Sequence, residues 1–214
     1  MIIAIDGPAA SGKGTLARRL ARFFNLAYLD TGSLYRAVGL QVLRAGGDPA
    51  DPVAAEAAAR ALDRTLLDDP ALRAEGAGKA ASQVAAVPAV RQALLDFQRD
   101  FAARPPGGCA GAVLDGRDIG TNVCPDADVK LFVTASAEER ARRRTQELSD
   151  RSDPAAYDRV LADIRRRDAR DSDRATNPLR PAEDALLLDT TDLDIDAVFD
   201  RAAAEVRHVL AKAP

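Results

Sequence analysis

The chain has 214 residues, a formal net charge of -3, 47% hydrophobic residues and 29% charged residues. At roughly 150 residues per domain that is one or two domains, with enough apolar content to exclude wholesale disorder. The mild negative charge excludes a uniformly basic nucleic-acid-binding protein. Cys109 and Cys124 have neither a nearby histidine nor a paired spacing, so they indicate no disulfide framework and no zinc site. The single histidine, His208, falls in a helical pattern and reads as a surface residue. No apolar run approaches the ~18 residues of a membrane span, and the N-terminus lacks the basic start of a signal peptide. A cytoplasmic protein without membrane or nucleic-acid-polymer partners is expected.

In chain order, Ile2 to Ile5 reads as a buried strand, and a helical pattern with Leu16, Leu20, Phe23 and Phe24 on one face follows from Lys13 to Phe24. Tyr28–Asp30 is a second strand, and Thr31-Gly32-Ser33 supplies turn and capping chemistry for a helix through Leu43. Pro52 to Leu67 is helical, Asp68-Asp69-Pro70 breaks it, and 68–79 shows little periodicity. Helices are predicted over Ala80–Val87 and Pro88–Phe101, and a loop at Arg104–Gly108. Ala112–Asp115 and Val129–Val133 are strands three and four. Ser136 caps an Arg-rich helix through Leu148, and a polar break at Ser149–Pro154 separates it from a helix running into the Arg170s. Leu186–Asp189 is the fifth strand and Ile195–Leu210 the closing helix.

Short apolar strands alternating with helices predict a three-layer α/β fold around a parallel sheet. The core is expected over 1–44 and 111–214, with a helical excursion over 45–110 and a short lid over about 145–158.

Gly7-Pro8-Ala9-Ala10-Ser11-Gly12-Lys13-Gly14-Thr15 lies between the first strand and the first helix. Such a loop turns successive backbone N–H groups toward phosphate oxygens, and the helix start adds a positive end. Lys13 reaches the β and γ phosphates, and the Thr15 hydroxyl is placed to ligate Mg²⁺. The residue after Lys13 is Gly14, so the hydroxyl comes one place later than in the commonest form of the loop. The loop alone leaves kinase, switch GTPase and motor ATPase open. Lys occurs only at 13, 79, 130 and 212, and no Asn-Lys-x-Asp stretch reads guanine.

An anionic acceptor accounts for Arg clusters in an acidic chain. Asp30–Arg36 and Asp115–Asp118 both follow strands, at the carboxyl edge where open α/β sheets bind ligands. Arg167, Arg170, Asp171 and Arg174 are spaced to share a helix face. Taken singly, this set and Arg140–Arg144 also fit solvated charged faces. Beside a phosphate loop, they fit the guanidinium groups needed to bring two phosphate groups together.

The combination of Gly7–Thr15 with Asp-Thr-Gly-Ser-Leu-Tyr-Arg (30–36), Ala81–Ala86, Leu114–Gly120 and Arg167–Arg174 resembles the bacterial cytidylate kinases, a family of nucleoside monophosphate kinases. The likeness runs from the first strand to the last. It implies a P-loop NTPase fold with a five-stranded parallel sheet, a nucleoside monophosphate-binding insert at 45–110, and phosphoryl transfer from ATP to CMP or dCMP with Mg²⁺. By this resemblance Ser82, Arg91 and Asp118 face the cytosine base, and Asp171 takes a ribose hydroxyl. Arg36, Arg117, Arg167 and Arg174 clamp the acceptor phosphate, with Thr31 and Tyr35 in the same pocket. Arg143 contacts the donor phosphates. Lys13, Arg117, Arg167 and Arg174 carry catalysis, and the working unit is a monomer. Members of the family often carry a small β-rich insert, for which the stretch between Leu67 and Ala80 is too short. Two rivals stay open: a small P-loop kinase acting on shikimate or dephospho-coenzyme A, and a non-catalytic nucleotide switch.

Overall fold

The computed structural model describes residues 1–147 and 154–212. Five parallel strands, β1 (Ile2–Asp6), β2 (Ala27–Asp30), β3 (Ala112–Gly116), β4 (Val129–Thr134) and β5 (Leu186–Asp189), lie in the order β2-β3-β1-β4-β5. All five point the same way, so the segments starting at 7, 31, 117, 135 and 190 emerge along one edge. Parallel strands need helical crossovers, and these cover both faces. On one face α1 (Lys13–Phe23) and α8 (Ile195–Lys212) pack Leu16, Leu20, Phe199 and Val206 against Ile3, Ile5 and Val133. On the other, Ile119, Val123 and Ala102 close over Ala4, Leu29 and Leu114. The fold class is as expected.

The segment 45–110 builds a separate apolar core with α2 (Thr31–Arg44). Its helices α3 (Pro52–Arg60), α4 (Glu75–Val84) and α5 (Pro88–Ala103) bury Ala55, Val84, Val90 and Leu94 against Leu34, Val38 and Val42. No strand occurs there; residues 64–68 and 70–73 form short 3₁₀ turns.

Several boundaries differ from the sequence reading, each for a local reason. The helix expected over 52–67 ends at Arg60, because Asp63 caps a new turn by accepting from the Thr65 N–H. The next helix begins at Glu75 rather than Ala80; Gly76 and Gly78 in its first turns hide its apolar stripe from a periodicity argument. Helix α2 starts directly at Thr31 after Asp30, and Ser33 donates to the Asp30 carbonyl rather than capping. Residues 119–123, to which the sequence reading assigned no element, form one π-helical turn after β3. Residues 106–108 of the expected loop form a 3₁₀ turn.

Helix α6 (Ala137–Glu147) has the expected cap, the Glu139 N–H donating to Ser136 Oγ. Helix α7 (Pro154–Asp173) stops one residue short of Arg174, so Arg174 is not on the shared helix face. There the chain folds back, with the Leu179 N–H bonded to the Asp171 carbonyl. The centre of the expected lid, 148–153, lies outside the described residues.

Candidate active site

The phosphate loop fills the turn between β1 and α1. Gly7 has a φ of 152°, and a Cβ there would fall 2.0 Å from the Val133 carbonyl oxygen. Gly12, at φ 85°, precedes α1 with no side-chain cap, which leaves the first amides of the helix for an anion. Lys13 reaches back to the Pro8 carbonyl at 3.2 Å. Burial and the nearby Arg117 push its ammonium well below the usual lysine range, with Asp115 and Asp30 opposing. Thr15 is exposed on the first turn.

Two carboxylates that sequence reasoning left without a role stand beside Lys13. Asp115 is buried, accepts from the Tyr28 hydroxyl at 3.1 Å, and lies close to Gly14. Burial, followed by the charge of Asp30, raises its pKa. Asp30 itself accepts from Arg36 at 2.5 Å. These are hard oxygen donors, which suit a magnesium ion held mainly by phosphate oxygens and the Thr15 hydroxyl. Among the described residues no cluster of three metal-ligating side chains exists. A metal here therefore needs the nucleotide's oxygens.

The second half of the site lies between α4, α5, α7 and the turn after β3. Arg91 and Asp118 pair at 2.5 Å, and Arg174 stands 3.6 Å from the other carboxylate oxygen. Tyr35 is buried with its ring 5.5 Å from the Arg91 guanidinium. Thr31 donates to the Asp115 carbonyl at 2.8 Å, tying the start of α2 to β3. Arg117 donates to Asp171 at 2.8 Å, and Arg167 lies 4.0 Å from the same oxygen. Burial opposes ionisation of Asp171, yet Arg117 and Arg167 outweigh it and hold the carboxyl below its usual range. Burial and the Arg117 charge push Arg167 down to about 10. Ser82 is buried between Asp171 and Arg170. The structure thus brings Thr31, Tyr35, Arg36, Ser82, Arg91, Arg117, Asp118, Arg167, Asp171 and Arg174 to the edge that carries the phosphate loop.

Arg143 stands apart from them. It donates to Thr190 Oγ1 at 3.0 Å, to the Thr190 carbonyl at 2.6 Å, and to Glu139 at 2.7 Å. Together with Ser11, Gly12, Thr190 and Asp192 it lines a cavity of about 510 Å³ on the donor side of the loop. Thr190 and Asp192 were legible by the same logic as the other strand ends, since they follow β5.

Two further residues have partners that the sequence did not reveal. Asp6, the last residue of β1, accepts from the backbone N–H groups of Ile119 and Gly120, both at 2.8 Å. Arg140 is buried and donates to the Ala9 carbonyl of the phosphate loop and to Asp168 of α7. One side chain thereby joins the loop to the helix that carries Arg167. No sequence pattern marks Asp6, and the Arg140–Arg144 cluster did not assign Arg140 its partners, because both residues act across distant segments.

The comparisons with known proteins agree with this geometry. The sequence model of the cytidylate kinase family matches residues 3–208. The chain is 63% identical over 198 residues to a cytidylate kinase of Paramagnetospirillum magneticum, covering 92% of this chain and 93% of the relative. It is 64% identical to a cytidylate kinase of Methylobacterium sp. strain 4-46, covering 96% of each. A solved structure of an uncharacterized protein from Eubacterium ventriosum is similar in fold, with a TM-score of 0.52 at 14% identity over 99% of both chains. A phosphate loop, a clamp of guanidinium groups facing it, and a family match across nearly the whole length agree: the chain belongs to the cytidylate kinase family.

Proposed function

We propose that the chain transfers the γ-phosphoryl group of ATP to CMP or dCMP, giving ADP and CDP or dCDP. The observation that carries this reading is a set of buried donors. Arg91 Nε, Arg167 Nε and Arg174 Nη2 are shielded from solvent, yet have no hydrogen-bond partner. A buried unpaired donor costs about 1–3 kcal/mol, and more when charged. Three of them converging on Asp118 and Asp171 fit a site built for a polar anionic ligand. The acceptor phosphate fits Arg36, Arg117 and Arg167, and the base fits Ser82, Arg91 and Asp118. Asp171 fits the ribose, and the helical segment 45–110 serves as the acceptor-binding insert.

The nucleophile is an acceptor phosphate oxygen, ionised at neutral pH, so no general base is needed. The protein's task is alignment and stabilisation of spread charge. Lys13 and the loop amides hold the donor phosphates, while Arg117, Arg167 and Arg174 offset repulsion between the two anions. A magnesium ion held by Thr15 and the phosphates, with Asp115 and Asp30 alongside, supplies further charge neutralisation when bound. Arg143 and the cavity at Thr190 fit the donor nucleotide. Every group named comes from one chain, so a monomer suffices. No described helix is long and apolar enough to cross a membrane, and the cytoplasm, where both nucleotides occur, is the proposed location.

The test is ADP release with Mg-ATP and a panel of CMP, dCMP, UMP, AMP, shikimate and dephospho-coenzyme A. The reading expects CMP and dCMP well ahead of UMP. Turnover of another acceptor overturns the specificity, and ADP release indifferent to every acceptor overturns the kinase reading.

A further inference from the structure

Ser82 on α4 is buried, and its hydroxyl meets two side chains of α7. Arg170 donates Nη1–H to Ser82 Oγ at 2.7 Å, and Asp171 Oδ1 lies 3.4 Å from the same oxygen. Asp171 is itself fixed, accepting from Arg117 through its other oxygen. A guanidinium offers only donors and an ionised carboxylate only acceptors, whereas a hydroxyl has one hydrogen and two lone pairs. Arg170 takes one lone pair of Ser82, and Asp171 receives the hydrogen. What Ser82 has left for a ligand is an acceptor.

We propose that Arg170 is a positioning residue for base selection: by donating to Ser82 it fixes that hydroxyl as an acceptor, favouring a base with an exocyclic amine over one with a carbonyl. The proposal rests on the reading that Ser82 and Asp118 face the base. An exocyclic amine carries two hydrogens, one for the Asp118 carboxylate and one for the free lone pair of Ser82. A carbonyl in the same place meets two acceptors and no donor, which leaves buried polar atoms unpaired. Without Arg170 only the long 3.4 Å contact with Asp171 holds the Ser82 hydrogen, and the hydroxyl turns more readily to donate to that carbonyl. The specificity of Ser82 thus depends on a side chain on another helix, itself only partly buried.

The experiment measures kcat/KM for CMP and UMP in the full chain and in Arg170→Met, Arg170→Lys, Ser82→Ala and the Ser82→Ala/Arg170→Met double variant. Arg170→Met is expected to narrow the CMP-to-UMP ratio by about tenfold, the scale of one net hydrogen bond. Arg170→Lys, which retains a donor, is expected to restore most of the ratio. The double variant is expected to be no less selective than Ser82→Ala alone, since the two residues act as a unit. Equal rises in KM for both nucleotides in Arg170→Met would mean that Arg170 serves the shared ribose or phosphate, and would overturn the proposal. A narrowed ratio in Ser82→Ala with none in Arg170→Met would leave the base reading standing and remove the role of Arg170. A ratio untouched by Ser82→Ala would overturn the base reading and the proposal together.

Discussion

Arg91 and Asp118 form an ion pair at 2.5 Å in which each side chain is only 6% exposed. The pair joins α5 to the turn after β3, so the insert and the sheet edge meet at a desolvated charge contact. The other Asp118 oxygen faces Arg174, and Asn122, from within the same turn, donates to the oxygen that pairs with Arg91. Such a pair does little for net stability against an apolar alternative, but breaking it is costly because the remaining charge stays buried. Its place in the acceptor pocket gives it a purpose beyond stability.

Asp118→Ala leaves Arg91 and Arg174 without their carboxylate. The expected result is a loss of about 3–5 kcal/mol in unfolding free energy and a drop of roughly 10- to 100-fold in preference for CMP over UMP. Urea unfolding and paired kcat/KM values check both effects. An unchanged nucleotide preference would show that Asp118 has no part in reading the base.

Lys13 gives a prediction about protons. Burial, reinforced by Arg117, pushes its ammonium down to about 7 in the free protein. Triphosphate oxygens placed around it favour the charged form. At about pH 8.5, where the free side chain is largely neutral, ATP binding should therefore take up close to one proton. Near pH 6 the uptake should vanish, because the lysine is already charged. Titration calorimetry in buffers of different ionisation enthalpy measures this directly. In Lys13→Ala the uptake at high pH should disappear and turnover should fall by orders of magnitude, while circular dichroism stays unchanged.

Most of the sheet was legible because each strand is a short apolar run ending at a polar or glycine-rich turn: Ile2–Ile5 before Gly7, Ala112–Asp115 before Gly116. The phosphate loop was legible because its chemistry is local and contiguous. Residues 61–79 were not, since Asp63 and Asp69 start short turns that carry no apolar period, and Gly76 and Gly78 thin out the stripe of α4. The partners of Asp6 and Arg140 were illegible for another reason. Asp6 serves amides of Ile119 and Gly120, and Arg140 serves the carbonyl of Ala9, so their partners are backbone atoms that a sequence does not display.

Asp6 should leave a signature in the pH dependence of stability. Burial raises its carboxyl from 3.8 to about 7, against the pull of the two amides it accepts from. A group whose folded pKa is raised contributes stability that is fully present below the unfolded value and is lost as pH rises through the folded one. The relevant window is therefore about pH 4 to 7, and the loss is on the order of a few kcal/mol. Asp6→Asn removes this titration. Its unfolding free energy, measured relative to the unsubstituted chain, should improve steadily as pH rises across that window. A constant difference from pH 4 to 8 would mean that Asp6 does not titrate there.

The last prediction concerns how the insert is held at its working position. Gly39 lies on α2 where α4 crosses it, and a Cβ there would sit 2.8 Å from Ala80 Cβ and 3.0 Å from the Ala80 carbonyl carbon. Neither contact is to a flexible chain end, so α4 itself must move. Helix propensity favours alanine by about 1 kcal/mol, while overpacking a closed contact costs about 1–3 kcal/mol. Gly39→Ala should therefore destabilise the chain slightly, by about 1 kcal/mol. The larger consequence follows from Ser82, half a turn beyond Ala80 on the displaced helix. Moving it away from Arg170 and Asp171 should raise KM for CMP several-fold, whereas KM for ATP, set by the phosphate loop, should hold. Equal changes in both constants would show that the contact between α2 and α4 supports the fold as a whole rather than the placement of Ser82.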